Sequence, residues 1–223
     1  MSNRFSASVV VGVMALVVAT AGCTNPPAGS AGPTAATSAA AGLPNPSPMA
    51  LWPAPPDPLE RTAAAGLVPE TVEQLAYHVH AHLDVFVDDV PIVVPAGIGI
   101  NISDPGVRTF NEPDGSVAYG GIQGCATPCI SPLHTHDSTG IIHTESATAE
   151  GNTLGQLFTE WGVTLGESCV AEHCDPEPIA IYLNGEPFSG DPNAIELTDR
   201  LQIAIVIGTP PAVIPSTADF SRA

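Results

Sequence analysis

From Tyr77 to Val87 the chain reads YHVHAHLDVFV, alternating from one position to the next. Successive side chains of a strand point to opposite faces, so Tyr77, Val79, Ala81, Leu83, Val85 and Val87 share one face. His78, His80, His82, Asp84 and Phe86 share the other. The pattern predicts a strand with an apolar underside and a histidine face. The following DDV predicts a tight turn and PIVVPAGIGI the returning arm of a hairpin. Upstream, PETVEQLAYH predicts a short helical turn, and TGIIHTES a further strand. Between the two histidine segments, SDPGVRTFNEPDGSVAYGGIQGCATPC is so rich in turn residues that it predicts long loops around weak strands.

The period then changes. In NTLGQLFTEWG, Leu154, Leu157, Phe158 and Trp161 recur at helical spacing, Thr153 and Gln156 form a capping-box pair, and Gly162 stands where a helix stops. IAIYLNG and LQIAIVIG predict two closing strands. Hairpin, strand, helix and two strands give an α+β fold, a mixed sheet packed on one main helix. That order resembles a β-grasp architecture with insertions. The alternative is a cupin-like β-barrel, which HTH (134–136) followed by Glu145 resembles, although cupins place their glutamate closer to the histidines.

Composition sets the boundaries. Residues 1–22 combine Arg4, an apolar run and small residues before Cys23, which predicts a cleaved export leader. TAGC resembles a bacterial lipobox, which implies lipidation of Cys23. Residues 23–58, dense in Pro, Ala, Ser and Gly, predict a tether. A His-rich domain at 59–209 and a flexible tail at 210–223 complete the division. The expected location is the outer face of the cell membrane, held through lipid alone.

The formal net charge is −18, and lysine is absent. Such a chain repels phosphate backbones and anionic headgroups, which argues against a nucleic-acid partner and against electrostatic membrane binding. With Cys23 assigned to lipid, Cys125, Cys129, Cys169 and Cys174 remain, an even number that suggests disulfides outside the cytoplasm. Spacing leaves their pairing open, with a thiolate zinc site as the alternative.

Six of the seven histidines fall in HVHAHLDVFVDD (from His78) and HTHDSTGIIHTES (from His134). Strand residues two apart lie about 6.6–6.8 Å apart on one face, so neighbouring imidazoles can converge on one ion. The candidate metal ligands are His78, His80, His82, His134, His136 and His143, with Asp84, Asp137 and Glu145 as carboxylates around them. This exceeds the four donors one zinc ion takes. Two metals, or one metal with an outer histidine and a proton shuttle, would use the excess. His173, isolated in AEHC, reads as an ordinary histidine. No methionine follows Met49, so thioether copper(I) chemistry has no ligands. Imidazole with carboxylate suits zinc first, then copper(II), iron or nickel.

The string HVHAHLDVFVDD, VPAGIGI, LHTHDSTGIIHTES, TLGQLFTEWG and YLNG resembles a family of exported bacterial and archaeal His-rich proteins. The likeness covers most of residues 78–208 and implies a shared domain, not a reaction. Three functions follow: a metal-binding lipoprotein; a small metal-dependent enzyme, hydrolytic or redox, with Glu145 or Asp137 as base; or a structural envelope module without metal. The chain has no His-Glu-x-x-His helix and no phosphate-cradling glycine loop.

Overall fold

Strand β1 (Tyr77–Val87) is the hub of the fold. The computed structural model describes residues 50–148 and 150–221, so the expected leader, Cys23 and most of the expected tether lie outside the described residues. On one flank β1 runs parallel to β11 (Leu201–Ile207), from Ala81 opposite Leu201 to Val87 opposite Ile207. On the other flank its first half pairs with antiparallel β6 (Ile141–Ser146), and its last three residues with β2 (Val90–Ile92). The main sheet runs β10-β9-β11-β1-β6-β5, where β5 is Leu133–His134, β9 Ile179–Leu183 and β10 Glu186–Phe188. It is an open, mixed sheet in an α+β fold.

Alternation along β1 has its expected effect. Ala81, Leu83 and Val85 are buried together with Leu133, Ile142, Ile203, Ile205 and Ile207 from neighbouring strands. Against that face lies α2 (Leu154–Trp161), contributing Leu154, Leu157, Phe158 and Trp161. Its capping box is complete: Gln156 N–H donates to Thr153 Oγ1 at 3.3 Å and Thr153 N–H to Gln156 Oε1 at 2.9 Å. Gly162 ends the helix at φ 75°, a left-handed conformation that glycine adopts without strain. Asp88 and Asp89 turn β1 into β2 with φ of 48° and 67°, the two-residue turn that suits twisted strands.

Several elements differ from expectation. Residues 69–76 contain no helix: Glu70 pairs with Ile130 through backbone hydrogen bonds, and Cys125 N–H donates to Thr71 O, which holds the segment extended. The first helix, α1 (Pro58–Ala64), lies earlier and begins with proline at a position needing no backbone donor. Trp52 belongs to the core, its carbonyl accepting from Trp161 Nε1 at 2.8 Å, so folded structure starts before residue 59. The turn-rich stretch forms a hairpin, β3 (Arg108–Asn111) with β4 (Val117–Gly120), beside a small cluster of Ile100, Val107, Ile122, Cys129 and Ile130. Cys125 pairs with Cys129, and Cys169 with Cys174 across β7 (Cys169–Val170) and β8 (His173–Cys174). The thiolate zinc alternative is thereby left without free thiols. Beyond Ile207 the chain folds back, and Phe220 sits 5.8 Å beneath the Arg200 guanidinium and 6.5 Å from the His82 ring.

Candidate metal centre

Strand register builds the centre. His80 lies opposite His143 across β1 and β6, and His143 opposite His134 across β6 and β5. One step along, His78 faces Glu145. Paired residues share a face, and the alternate positions, Ala81, Ile142 and Leu133, go to the core. Three strands thus carry a row of imidazoles on the face away from α2. His136, just past β5, closes in from the side: its ring centroid lies 4.6 Å from that of His134 and 4.5 Å from that of His143.

Hydrogen bonds fix how two of these rings present themselves. His134 Nδ1 is 2.9 Å from Ser131 O, and His136 Nδ1 is 2.5 Å from Tyr119 O. A backbone carbonyl only accepts, so each Nδ1 carries a proton, and in a neutral ring each Nε2 keeps its lone pair. Those two Nε2 atoms face one another at 3.2 Å. Two lone pairs at that distance repel unless something positive lies between them. Zinc–nitrogen bonds of about 2.0–2.1 Å at the tetrahedral angle would separate two donors by about 3.3–3.4 Å. A shared proton would need only these two nitrogens, whereas His143 and Glu145 complete a group of four whose ligand atoms all lie within 4.8 Å of one another. A second group, His78, His80 and His143, meets the same limit.

No protein-family model, curated protein or solved structure matches the chain. Chemistry at the centre therefore rests on its own geometry.

Electrostatics point the same way. Burial, reinforced by His136 and His143, holds His134 well below the usual histidine range. Burial followed by His136 and His78 brings His143 down to about 3, and burial followed by His143 and His78 brings His80 down to about 4. Glu145, 3.3 Å from His143 Nδ1 and 3.1 Å from His78 Nε2, is pushed upward by burial against the pull of the surrounding imidazoles. Burial thus favours neutral rings at His80, His134 and His143 beside a carboxyl group that it discourages from ionising. A cation placed among them would stabilise the Glu145 carboxylate and use the lone pairs of the neutral rings.

Five of the six candidate histidines come together, and Glu145 stands inside the group rather than around it. His82 stands apart. Register puts Ile141 opposite it, and its Nε2 lies 2.8 Å from Thr139 O in the loop before β6. Asp84 accepts from Gln202 Nε2 at 2.9 Å, and Asp137 accepts from the backbone and hydroxyl of Thr139, so both serve local structure. His173 pairs with Glu177 at 2.9 Å, away from the centre. Glu73, absent from the sequence-based candidates, has Oε1 3.8 Å from His136 Nε2. With Phe110, Tyr119, His136 and Asp137 it lines a cleft of about 490 Å³. Nothing in its sequence surroundings marks Glu73, and Ser131 and Tyr119 act through backbone carbonyls that carry no side-chain signature.

Proposed function

We propose that this chain is a lipid-anchored, extracytoplasmic protein that binds a divalent transition metal through His134, His136, His143 and Glu145. One observation carries the reading: two imidazoles, each holding its Nδ1–H on a backbone carbonyl, bring their Nε2 atoms to 3.2 Å from each other, with His143 and Glu145 beside them. Three imidazoles and a carboxylate suit zinc best, with copper(II) and iron next. Export and anchoring are supported by the leader-like residues 1–22 and the TAGC string before Thr24. A β-grasp-like architecture is supported by the parallel pairing of β1 with β11 and by α2 across one face of the sheet.

The cleft beside His136 favours a second reading, a small metal-dependent enzyme, because it would give a small molecule access to one ligand of the ion. Glu73, 3.8 Å from His136, would then be the base.

Elemental analysis of the full chain, purified without chelator, tests the first reading. Wild type should carry zinc or another divalent metal at one equivalent or more. His134→Ala and His136→Ala should each weaken binding beyond the roughly 10- to 100-fold typical of a lost outer partner. Full metal content in both variants, with wild-type circular dichroism, overturns the reading. A cobalt-substituted sample whose spectrum changes when azide is added would favour the enzyme.

A further inference from the structure

One ion held by His134, His136, His143 and Glu145 leaves part of the histidine face without a role. His80 Nε2 is buried and closes no hydrogen bond. Its ring stands edge-on to those of His78 and His143, with centroids 4.4 and 4.5 Å away. Ligand atoms of these three residues lie within 4.8 Å of one another. Glu145 sits on the boundary between the two sets. Its Oε1 is 3.1 Å from His78 Nε2 and 3.9 Å from His134 Nε2, while Oε2 is buried and closes no hydrogen bond.

We propose, resting on the metal-binding reading above, that His78, His80 and His143 form a second metal site, and that the centre holds two divalent ions bridged by the Glu145 carboxylate. A buried nitrogen with no partner is costly, and a metal ion satisfies it as a hydrogen-bond donor would. His80 lies outside the first group, so an ion there does nothing for it; a second ion does. Glu145 has Oε1 near donors of both sets, the position of a carboxylate shared between two ions, and its Oε2 has no competing hydrogen bond. Two-metal sites commonly hold their ions about 3.5–4 Å apart with such shared ligands.

The two sites are unequal. His143 belongs to both groups and a neutral imidazole has one lone pair, so an ion entering the second would take that ligand from the first, which would keep His134, His136 and Glu145. Two dications so close also repel each other, with the Glu145 carboxylate between them as the nearest compensation. Binding is therefore stepwise, with the second step at least about tenfold weaker. The second ion is also the more exchangeable, since His78 is exposed whereas His134 is fully buried.

Calorimetric titration of the metal-free full chain with zinc(II), and electron paramagnetic resonance with one and two equivalents of copper(II), test this. Wild type should bind two ions in resolved steps, and the second copper should broaden or quench the signal of the first. His80→Ala should bind one ion, with first-step affinity within about threefold of wild type and no quenching; His78→Ala should also bind one ion without quenching, its first step weakened by roughly 10- to 100-fold because Glu145 loses a partner. A wild type that binds a single ion, or variants that still bind two, overturns the second site and leaves the first intact. No binding by wild type overturns both readings.

Discussion

Glu160 is fully buried on α2, and neither of its carboxylate oxygens closes a hydrogen bond of normal geometry. Burial pushes its pKa up to about 8, and the hydroxyls of Ser131 and Thr62 pull weakly the other way. It lies close behind the metal centre, because the carbonyl of that same Ser131 fixes the tautomer of His134. The folded state holds a proton on Glu160 well above the pH at which the unfolded chain releases it, near 4.5. Its contribution is therefore complete below about pH 4.5 and lost as pH rises through about 8. Glu160→Gln keeps the shape and removes the ionisation. The variant should match wild type near pH 4.5 and gain over it by about 1.4 kcal/mol per pH unit, on the order of 3 kcal/mol by pH 7. Urea unfolding at pH 5, 7 and 8.5 measures the difference, and a constant difference across that range would rule out a buried neutral carboxyl. The histidines slope oppositely, because lowered folded pKa values make neutral imidazole the native form and favour unfolding as pH falls below about 6.5. Comparison with a single variant isolates Glu160 from that background.

Strand β5 is two residues long yet carries His134, so its position depends on what packs beside it. The loop that follows β2 supplies that support: Gly97 N–H donates to Thr135 O, Ser131 N–H to Gly99 O, and Thr135 N–H to Ile98 O. Gly99 has φ 71°, and a Cβ there would collide with the Leu133 carbonyl oxygen and crowd His134 Cβ. Gly99→Ala should therefore cost about 2–3 kcal/mol, from left-handed strain plus the clash, and should weaken metal binding at least tenfold by shifting His134. Thr153→Ala provides the contrast. It removes the helix cap, at about 1 kcal/mol, on the side of the sheet away from the histidines. Stability should fall while metal content stays unchanged. Thermal unfolding and metal titration of both variants separate the effects; unchanged affinity in Gly99→Ala would mean that the loop does not set the ligand position. These elements also show what a sequence can reveal. The faces of β1 and the caps of α2 were legible because period and capping are local. Register was not, since whether His80 or His82 faces His143 depends on pairing between strands some sixty residues apart. Residues 69–76 were misread for a related reason: pairing with Ile130 overrode their local helical pattern.

At the scale of the whole molecule, membrane association has few physical sources. Net charge is −18 with no lysine, so anionic headgroups repel the chain. Among the described residues no helix is long and apolar enough to cross a membrane. The anchor proposed from the TAGC string is acyl chains on Cys23, where each buried methylene contributes about 0.8 kcal/mol and two or more chains hold firmly while one binds reversibly. Such an anchor has a distinct signature. Hydrophobic insertion is not screened by salt, whereas attraction between surface charges falls away beyond about 10 Å at 0.1 M ionic strength. In an exporting bacterial host, wild type should pellet with membranes, resist a 1 M salt wash and dissolve in detergent. Cys23→Ser should appear in the soluble extracytoplasmic fraction with its metal content intact, because the ligands, from His78 onward, all belong to the folded domain and Cys23 is not among them. Release of wild type by salt, or a Cys23→Ser protein that still pellets, would remove the lipid anchor from the proposal and leave the metal centre unaffected.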